Sequence, residues 1–264
     1  MSALKLVSAE KLADTDTPVS AYLKLCRNGS DSFLLESVET KDITGRYSFV
    51  AFDPIFSMEL DRDRVISWDR DKESVAPAAE FFNVMRSHID RLQCTPSPAL
   101  PSVGSLMGFI GYDAVRLIER LPNMRPNDLP IARMVFPSRF VVFDHLRRVM
   151  VLLAIDSDEA IAQAKIREMQ ETLDCPLVVR SRSSKIKVTA PSKDRYCDAV
   201  KTAQEYIRAG DIFQVVLSDS FQGETDLEPF EAYRRLRVRS PSPYMFFADF
   251  GGYQLVGSSP ETLV

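Results

Sequence analysis

The stretch Ser138-Arg139-Phe140-Val141-Val142-Phe143-Asp144, followed by Arg148-Val149-Met150-Val151-Leu152-Leu153-Ala154-Ile155-Asp156, reads as the two arms of a β-hairpin. Both arms are rich in β-branched and aromatic residues, and Asp144-His145-Leu146-Arg147 supplies the turn between them. Strands joined this closely must run antiparallel, because a parallel pair needs a long crossover. Towards the N-terminus, Phe56-Ser57-Met58-Glu59-Leu60 alternates apolar and polar residues, the pattern of a half-buried antiparallel strand. Further strands are expected at Ser32 to Val38, Arg46 to Asp53, Phe56 to Asp61, Val65 to Asp69 and Val103 to Tyr112, and helices at Val19 to Arg27, Pro77 to Leu92 and Asp113 to Arg120. Cys94 to Pro101 and Pro122 to Pro130 read as loops.

Towards the C-terminus, Ser157 to Leu173 is an amphipathic helix with acids in its first turn, where the helix dipole favours them. Ser192 to Ala209 is the clearest helix, with Ser192 as N-cap and Gly210 just past its end. Asp211 to Phe221 reads as a strand with a buried core of Ile212, Phe213, Val215, Val216 and Leu217. Glu228 to Arg237 is a helix, and Tyr244 to Phe250 pairs with Tyr253 to Ser258 across Gly251-Gly252. Strands cluster first and then mix with long helices, without regular alternation. The expected class is therefore α+β, with mostly antiparallel sheets packed with helices, and not a doubly wound sheet. The basic, polar stretch from Arg180 to Ser184 reads as a connector, giving expected domains at 1–180 and 181–264.

Composition narrows the function. Apolar residues make up 45 % and charged residues 27 % of the 264, and the net charge is 33 − 37 = −4. That balance offers no general basic field for nucleic acid or an anionic membrane. No apolar run approaches the ~20 residues of a membrane-spanning helix, and the first ten residues hold no apolar signal core. The four cysteines, Cys26, Cys94, Cys175 and Cys197, have no metal-ligand or redox spacing and read as free thiols of a cytoplasmic protein. With only His88 and His145, a histidine-based metal site or a serine-type triad would depend on one of these two. Gly104 to Gly111 lacks the spacing of a phosphate-cradling loop.

Five segments, in order, resemble the chorismate-utilising enzymes in their anthranilate synthase branch. They are Leu34-Leu35-Glu36-Ser37; Gly45-Arg46-Tyr47-Ser48-Phe49; Gly108-Phe109-Ile110-Gly111-Tyr112-Asp113 with Val115-Arg116; Gly210-Asp211-Ile212-Phe213-Gln214-Val215-Val216-Leu217-Ser218; and Pro241-Ser242-Pro243-Tyr244-Met245-Phe246-Phe247, closed by Gly257-Ser258-Ser259-Pro260-Glu261. Each segment is weak evidence alone; their order and spacing carry the resemblance. One departure stands inside a motif: Ser240 occupies a place where the family has Asn. The resemblance implies the family's fold in incomplete form. The chain is expected to be an N-terminal portion, inactive alone, because a Pro-Ile-Ala-Gly-Thr segment and the magnesium carboxylates are missing. It further implies magnesium with ligands outside this chain, a glutamine amidotransferase partner subunit, chorismate as substrate and L-tryptophan as feedback inhibitor.

For individual residues, two readings stand side by side. Leu34 to Ser37 is by itself a strand with polar residues facing out; the resemblance makes it one wall of a tryptophan site, with Pro243, Tyr244 and Met245 as the other. A free amino acid needs acceptors for its ammonium, donors for its carboxylate and an apolar slot for its indole. Glu36 suits the first, Ser37 the second, and the Pro243-Tyr244-Met245 stretch the third, with Met well adapted to an aromatic face. Arg46 is a further candidate, or a solvated strand-end charge. Gln214 interrupts an apolar run, and by resemblance it occupies the place where water-adding relatives carry a Lys base. A Gln amide cannot act as a base, so Gln214 fits an orienting group for ammonia and argues against isochorismate synthesis. Glu261 is by itself a residue in the first turn after Pro260; by resemblance it is the general acid that protonates the departing 4-hydroxyl of chorismate. Gly108 to Arg116 reads as scaffold, its glycines allowing close backbone packing and Arg116 pairing with an acid. Aminodeoxychorismate synthase, which shares Gln214, and a binding module without turnover remain the alternatives.

Overall fold

The structure is a computed structural model and describes residues 4–26, 29–37, 43–70, 72–92, 103–122, 129–179 and 185–262. Its elements in chain order are β1 (Lys5–Leu12), α1 (Pro18–Leu25), β2 (Ser32–Glu36), β3 (Tyr47–Leu60), β4 (Arg64–Asp69), β5 (Lys72–Pro77), α2 (Phe81–Arg91), β6 (Met107–Ile110), β7 (Ala132–Asp144) and β8 (Val149–Asp156). There follow α3 (Glu159–Asp174), β9 (Ile186–Thr189), α4 (Lys193–Ala209), β10 (Gln222–Thr225), α5 (Pro229–Arg239), β11 (Tyr244–Asp249) and β12 (Gln254–Ser259). The chain divides into two compact units, Met1–Val178 with Tyr233–Val264, and Val179–Ala232.

The first unit is built on one ten-stranded sheet. Its main path runs β1-β8-β7-β3-β2-β11-β12, β4 and β5 extend from β3, and β6 pairs with β7. Every strand pair described is antiparallel. The hairpin at its heart turns where its sequence does. Asp144 pairs with Val149, and the Asp144 carboxylate accepts from the backbone N–H of Leu146 and Arg147, at 3.1 Å each, which pins the turn. All eight residues of β8 are buried, because β1 and β7 flank the strand and α3 covers it with Ala162, Ile166, Met169 and Leu173.

Two strands expected at Arg46 to Asp53 and Phe56 to Asp61 are one, β3, and Pro54 lies within it. The ladder to β7 survives because register shifts between Pro54 and Phe56 and Asp53 adopts φ 60°. A bulge absorbs the extra residue, and Asp tolerates this conformation better than most. Its side chain is held there: Oδ2 accepts from Ser138 Oγ at 2.7 Å and from Arg139 Nε at 2.9 Å, with Lys165 Nζ at 3.1 Å. Beyond the bulge the neighbours change: residues before it pair with β2, those after it with β4.

β1 and β5 are strands that the sequence reading missed. β1 is short of aromatic residues, and its pairing with β8, not its propensity, makes it a strand. β6 is short, and Gly108 in it lies so close to β7 that a Cβ there would fall 1.9 Å from the Arg133 carbonyl oxygen. The helix expected at Asp113 to Arg120 is a 3₁₀ turn over Tyr112–Leu117. There Arg116 Nε donates to Asp113 Oδ1 at 2.8 Å, and its other nitrogens reach carbonyls of Leu121 and Pro122. The loops at Cys94 to Pro101 and, for the most part, Pro122 to Pro130 lie outside the described residues, as does the connector at Arg180 to Ser184.

The second unit contains α4, capped by Ser192 and ended by Gly210 in the left-handed conformation, and the two-stranded sheet β9–β10. The strand expected at Asp211 to Phe221 is not formed; residues 211–221 carry no regular ladder, and Phe213 and Val216 are 93 % and 84 % exposed. An extended segment becomes a strand only when a neighbour takes its N–H and C=O groups, and no described strand pairs with it. The expected 181–264 domain is likewise divided. Its N-terminal part forms the second unit, while Tyr233 onward returns to the first through β11 on β2.

Candidate functional site

β2 and β11 lie side by side, with Glu36 opposite Met245 and Leu35 opposite Phe246. On its other edge β11 pairs with β12, Met245 opposite Ser258 and Tyr244 opposite Ser259. Glu36, Met245 and Ser258 therefore form one row across three strands. Ser37 follows Glu36 at the end of β2, and Pro243 precedes β11, so the two stretches singled out from sequence meet at one end of this strand pair. The β11–β12 pairing needs a small residue on β12: a Cβ on Gly257 would lie 2.0 Å from Cζ of Phe246, whose ring lies over this position.

Glu36 is 6 % exposed, and a carboxylate so buried needs partners. The helix α5 supplies them. The Tyr233 hydroxyl donates to Glu36 Oε2 at 2.6 Å, and Arg237 Nη2 donates to Oε1 at 3.0 Å. Arg237 Nε lies 2.9 Å from Oε2, but it is a buried donor without a hydrogen-bond partner; that contact is an ion pair by distance, with the hydrogen aimed elsewhere. Tyr233 and Arg237 are four apart and so project from the same face of α5. Burial, and then the neighbouring Glu36 charge, push the Tyr233 phenol up, which keeps it a donor. Its ring is fully buried and meets Phe247 edge-on, with centroids 6.0 Å apart. Ser37 Oγ is buried with no hydrogen-bond partner, and Ser242 Oγ donates to Met245 Sδ at 3.4 Å.

A second polar group stands nearby on β3 and the β7–β8 turn. His145 Nε2 and Ser48 Oγ are 2.7 Å apart. Burial pulls the His145 pKa down, and Arg237 pulls the same way, while Glu36 and Asp144 oppose them. Arg46 is partly exposed and also paired: its Nη2 donates to Asp144 Oδ2 at 2.7 Å, Nε lies 3.2 Å from Oδ1, and the guanidinium lies 4.8 Å from the Tyr47 ring centroid. The Arg46 hydrogen bonds hold the Asp144 carboxyl below its ordinary range.

Residues 31–264 match the family model of the chorismate binding enzymes. The chain belongs to that family. It is 34 % identical to anthranilate synthase component 1 of Acetivibrio thermocellus over 98 % of this chain and 56 % of the relative. It is 38 % identical to anthranilate synthase component 1 of Thermus thermophilus over 96 % of this chain and 55 % of the relative. The crystal structure of anthranilate synthase component I from Streptococcus pneumoniae superposes with a TM-score of 0.69 at 25 % identity, covering 96 % of this chain and 57 % of that one. The chain thus spans a little over half the length of these relatives.

The other residues singled out from sequence are not members of the Glu36 row. Glu261 is exposed just beyond β12 in the first unit, with no helix after Pro260 among the described residues. Gln214 is exposed in the irregular segment of the second unit, not buried in a strand. Among the described residues no group of three or more His, Cys, Asp or Glu side chains could hold a metal ion, and no helix is long and apolar enough to cross a membrane.

Sequence reasoning missed Tyr233 and Arg237. The signal was their i, i+4 spacing just upstream of Pro241. It was masked by the basic run Arg234, Arg235, Arg237 and Arg239, which reads as a solvated helix face.

Proposed function

We propose that this chain is the effector-binding portion of an anthranilate-forming lyase of the chorismate binding family, and that L-tryptophan is its inhibitor. The observation that carries the reading is the pairing of Glu36 with Met245, which joins the acidic wall to the Pro243-Tyr244-Met245 wall. Glu36 would accept from the ligand ammonium, Ser37 offers an unused hydroxyl, and the half-buried Tyr244 would offer apolar surface, backed by the buried Met245. The row Glu36, Met245, Ser258 gives the site a short route to chemistry, through two strand pairings and then along the chain, since β12 leads within three residues of Ser258 to Glu261. A ligand that shifts β11 would thereby shift the residue proposed as general acid for loss of the 4-hydroxyl. Inhibition needs only that the ligand bind two arrangements with different affinity.

In the complete reaction ammonia would add to ring carbon 2 of chorismate, the 4-hydroxyl would leave, and pyruvate would be eliminated. Gln214 is proposed to orient the ammonia, supplied by a glutamine amidotransferase partner. The described residues do not fit a magnesium site. The ion is proposed to bind in the part of the relatives' length that this chain does not span, where it would stabilise negative charge on the substrate.

Calorimetry of the 264-residue chain with L-tryptophan, alongside an anthranilate fluorescence assay with chorismate, ammonia and magnesium, tests the reading. The expected result is binding without turnover. Turnover by this chain alone overturns the portion argument; absence of L-tryptophan binding overturns the effector assignment.

A further inference from the structure

Glu36 and Arg237 differ sharply in freedom. The Glu36 side chain is 3 % exposed and the Arg237 side chain 37 %. The carboxylate is also held by Tyr233, whose ring is itself buried, so it stays fixed if the guanidinium leaves. The end of the helix that carries Arg237 is tied to β12: Ser240 N–H donates to the Leu236 carbonyl at 2.8 Å, and Ser258 Oγ donates to the Ser240 carbonyl at 2.7 Å.

We propose, building on the effector reading above, that Arg237 is a specificity-determining residue that makes the Glu36 end of β2 select a zwitterion. The ligand ammonium takes Glu36, and the guanidinium released from Glu36 takes the ligand carboxylate. Binding is an exchange of two ion pairs. A bare amine fails because it confronts Arg237 with a second cation and brings no counter-ion for either. A bare carboxylate fails because Arg237 must leave a buried Glu36 that nothing replaces it on. Only a molecule carrying both charges on one carbon leaves every charge paired.

Two details support the exchange. Arg237 Nε is a buried donor without a hydrogen-bond partner, so the guanidinium fork is only partly used against Glu36. A carboxylate can take two donors of that fork at once, which a fixed Glu36 shared with Tyr233 does not. Ser37 Oγ, also buried and unpartnered, stands at the same end of β2 as a further donor.

The test is calorimetry of the full 264-residue chain with L-tryptophan, tryptamine and indole-3-propionate, in wild type, Arg237→Gln and Arg237→Lys, each checked for folding by circular dichroism. Wild type is expected to bind L-tryptophan at least about tenfold more tightly than either single-charge analogue. In Arg237→Gln the preference over tryptamine should fall to within about threefold, mainly because L-tryptophan weakens. Arg237→Lys keeps a cation against the buried Glu36 but lacks the fork, and should fall between the two; it carries the test if the Gln variant does not fold. An unchanged preference in the variants that fold overturns this inference alone, and so does a wild type that binds all three alike. A wild type that binds none of the three overturns the effector reading and this inference with it.

Discussion

The Tyr233 hydroxyl donates to Glu36 Oε2 at 2.6 Å, joining a helix and a strand that lie 197 residues apart in the chain. Glu36 is buried, so this bond offsets part of the cost of burying a charge. Tyr233→Phe keeps the ring that meets Phe247 and removes only the hydroxyl. A hydrogen bond to a charged group contributes about 1.5–3 kcal/mol, and the urea-unfolding free energy should fall by that amount. A loss under about 0.5 kcal/mol would show that Arg237 alone suffices for Glu36.

Gly257 lies under the Phe246 ring across the β11–β12 pair. Alanine there forces the ring aside, and crowding of this kind costs about 1–3 kcal/mol. Trimming the ring should repay it: the double variant Phe246→Leu with Gly257→Ala should be more stable than the sum of the two single changes implies. Additive losses in a double-mutant cycle by chemical denaturation would contradict the clash.

His145 is one of two histidines, so its ring signals can be assigned with a single His88→Gln variant. Burial lowers its pKa, and an NMR titration should give an inflection below the ordinary ~6.5. The sign for stability follows. The unfolded chain takes up the proton first as pH falls, so the contribution is full above about pH 6.5 and is lost from there down to the folded pKa. His145→Gln should remove that part of the slope from urea midpoints measured between about pH 7 and 5. An inflection at or above 6.5 would mean that Glu36 and Asp144 outweigh burial.

How much could be read in advance depended on where each element finds its partners. The β7–β8 hairpin, α3 and the Ser192–Gly210 helix are local: turn, caps and periodicity lie within the element, and all three stand where the sequence put them, except that β7 begins earlier, at Ala132, where β3, β4 and β6 extend the sheet. The meeting of Glu36 with Met245 was legible only through family resemblance, because nothing near either residue encodes a register set two hundred residues away. β1 and β5 were missed for a similar reason, as their pairing on β8 and β4 outweighs weak propensity. The single β3 was hidden by Asp53 and Pro54, which imitate a turn; the bulge and the Ser138, Arg139 and Lys165 contacts keep the strand continuous. Arg237 was illegible because three other arginines surround it in sequence, and its i, i+4 partnership with Tyr233 matters only once Glu36 is beside it.

One apolar run expected to be a strand, Ile212-Phe213-Gln214-Val215-Val216-Leu217, forms none, and that failure makes its own prediction. Apolar β-branched residues favour a strand only when a ladder and a facing layer receive them. Here Phe213, Val215 and Val216 are exposed and the segment pairs with no described strand. Amides outside hydrogen-bonded structure exchange near the rate of an unfolded chain, whereas β8, flanked on both edges and covered by α3, exchanges only on wider unfolding. Hydrogen exchange read by mass spectrometry should therefore show residues 212–221 fully exchanged within seconds while 149–156 remains protected. Brief chymotrypsin treatment should cut first after Phe213 or Phe221. Slow exchange across 212–221 would mean that the segment has found a strand partner in solution, and a second copy of the chain would be the first to look for by sedimentation.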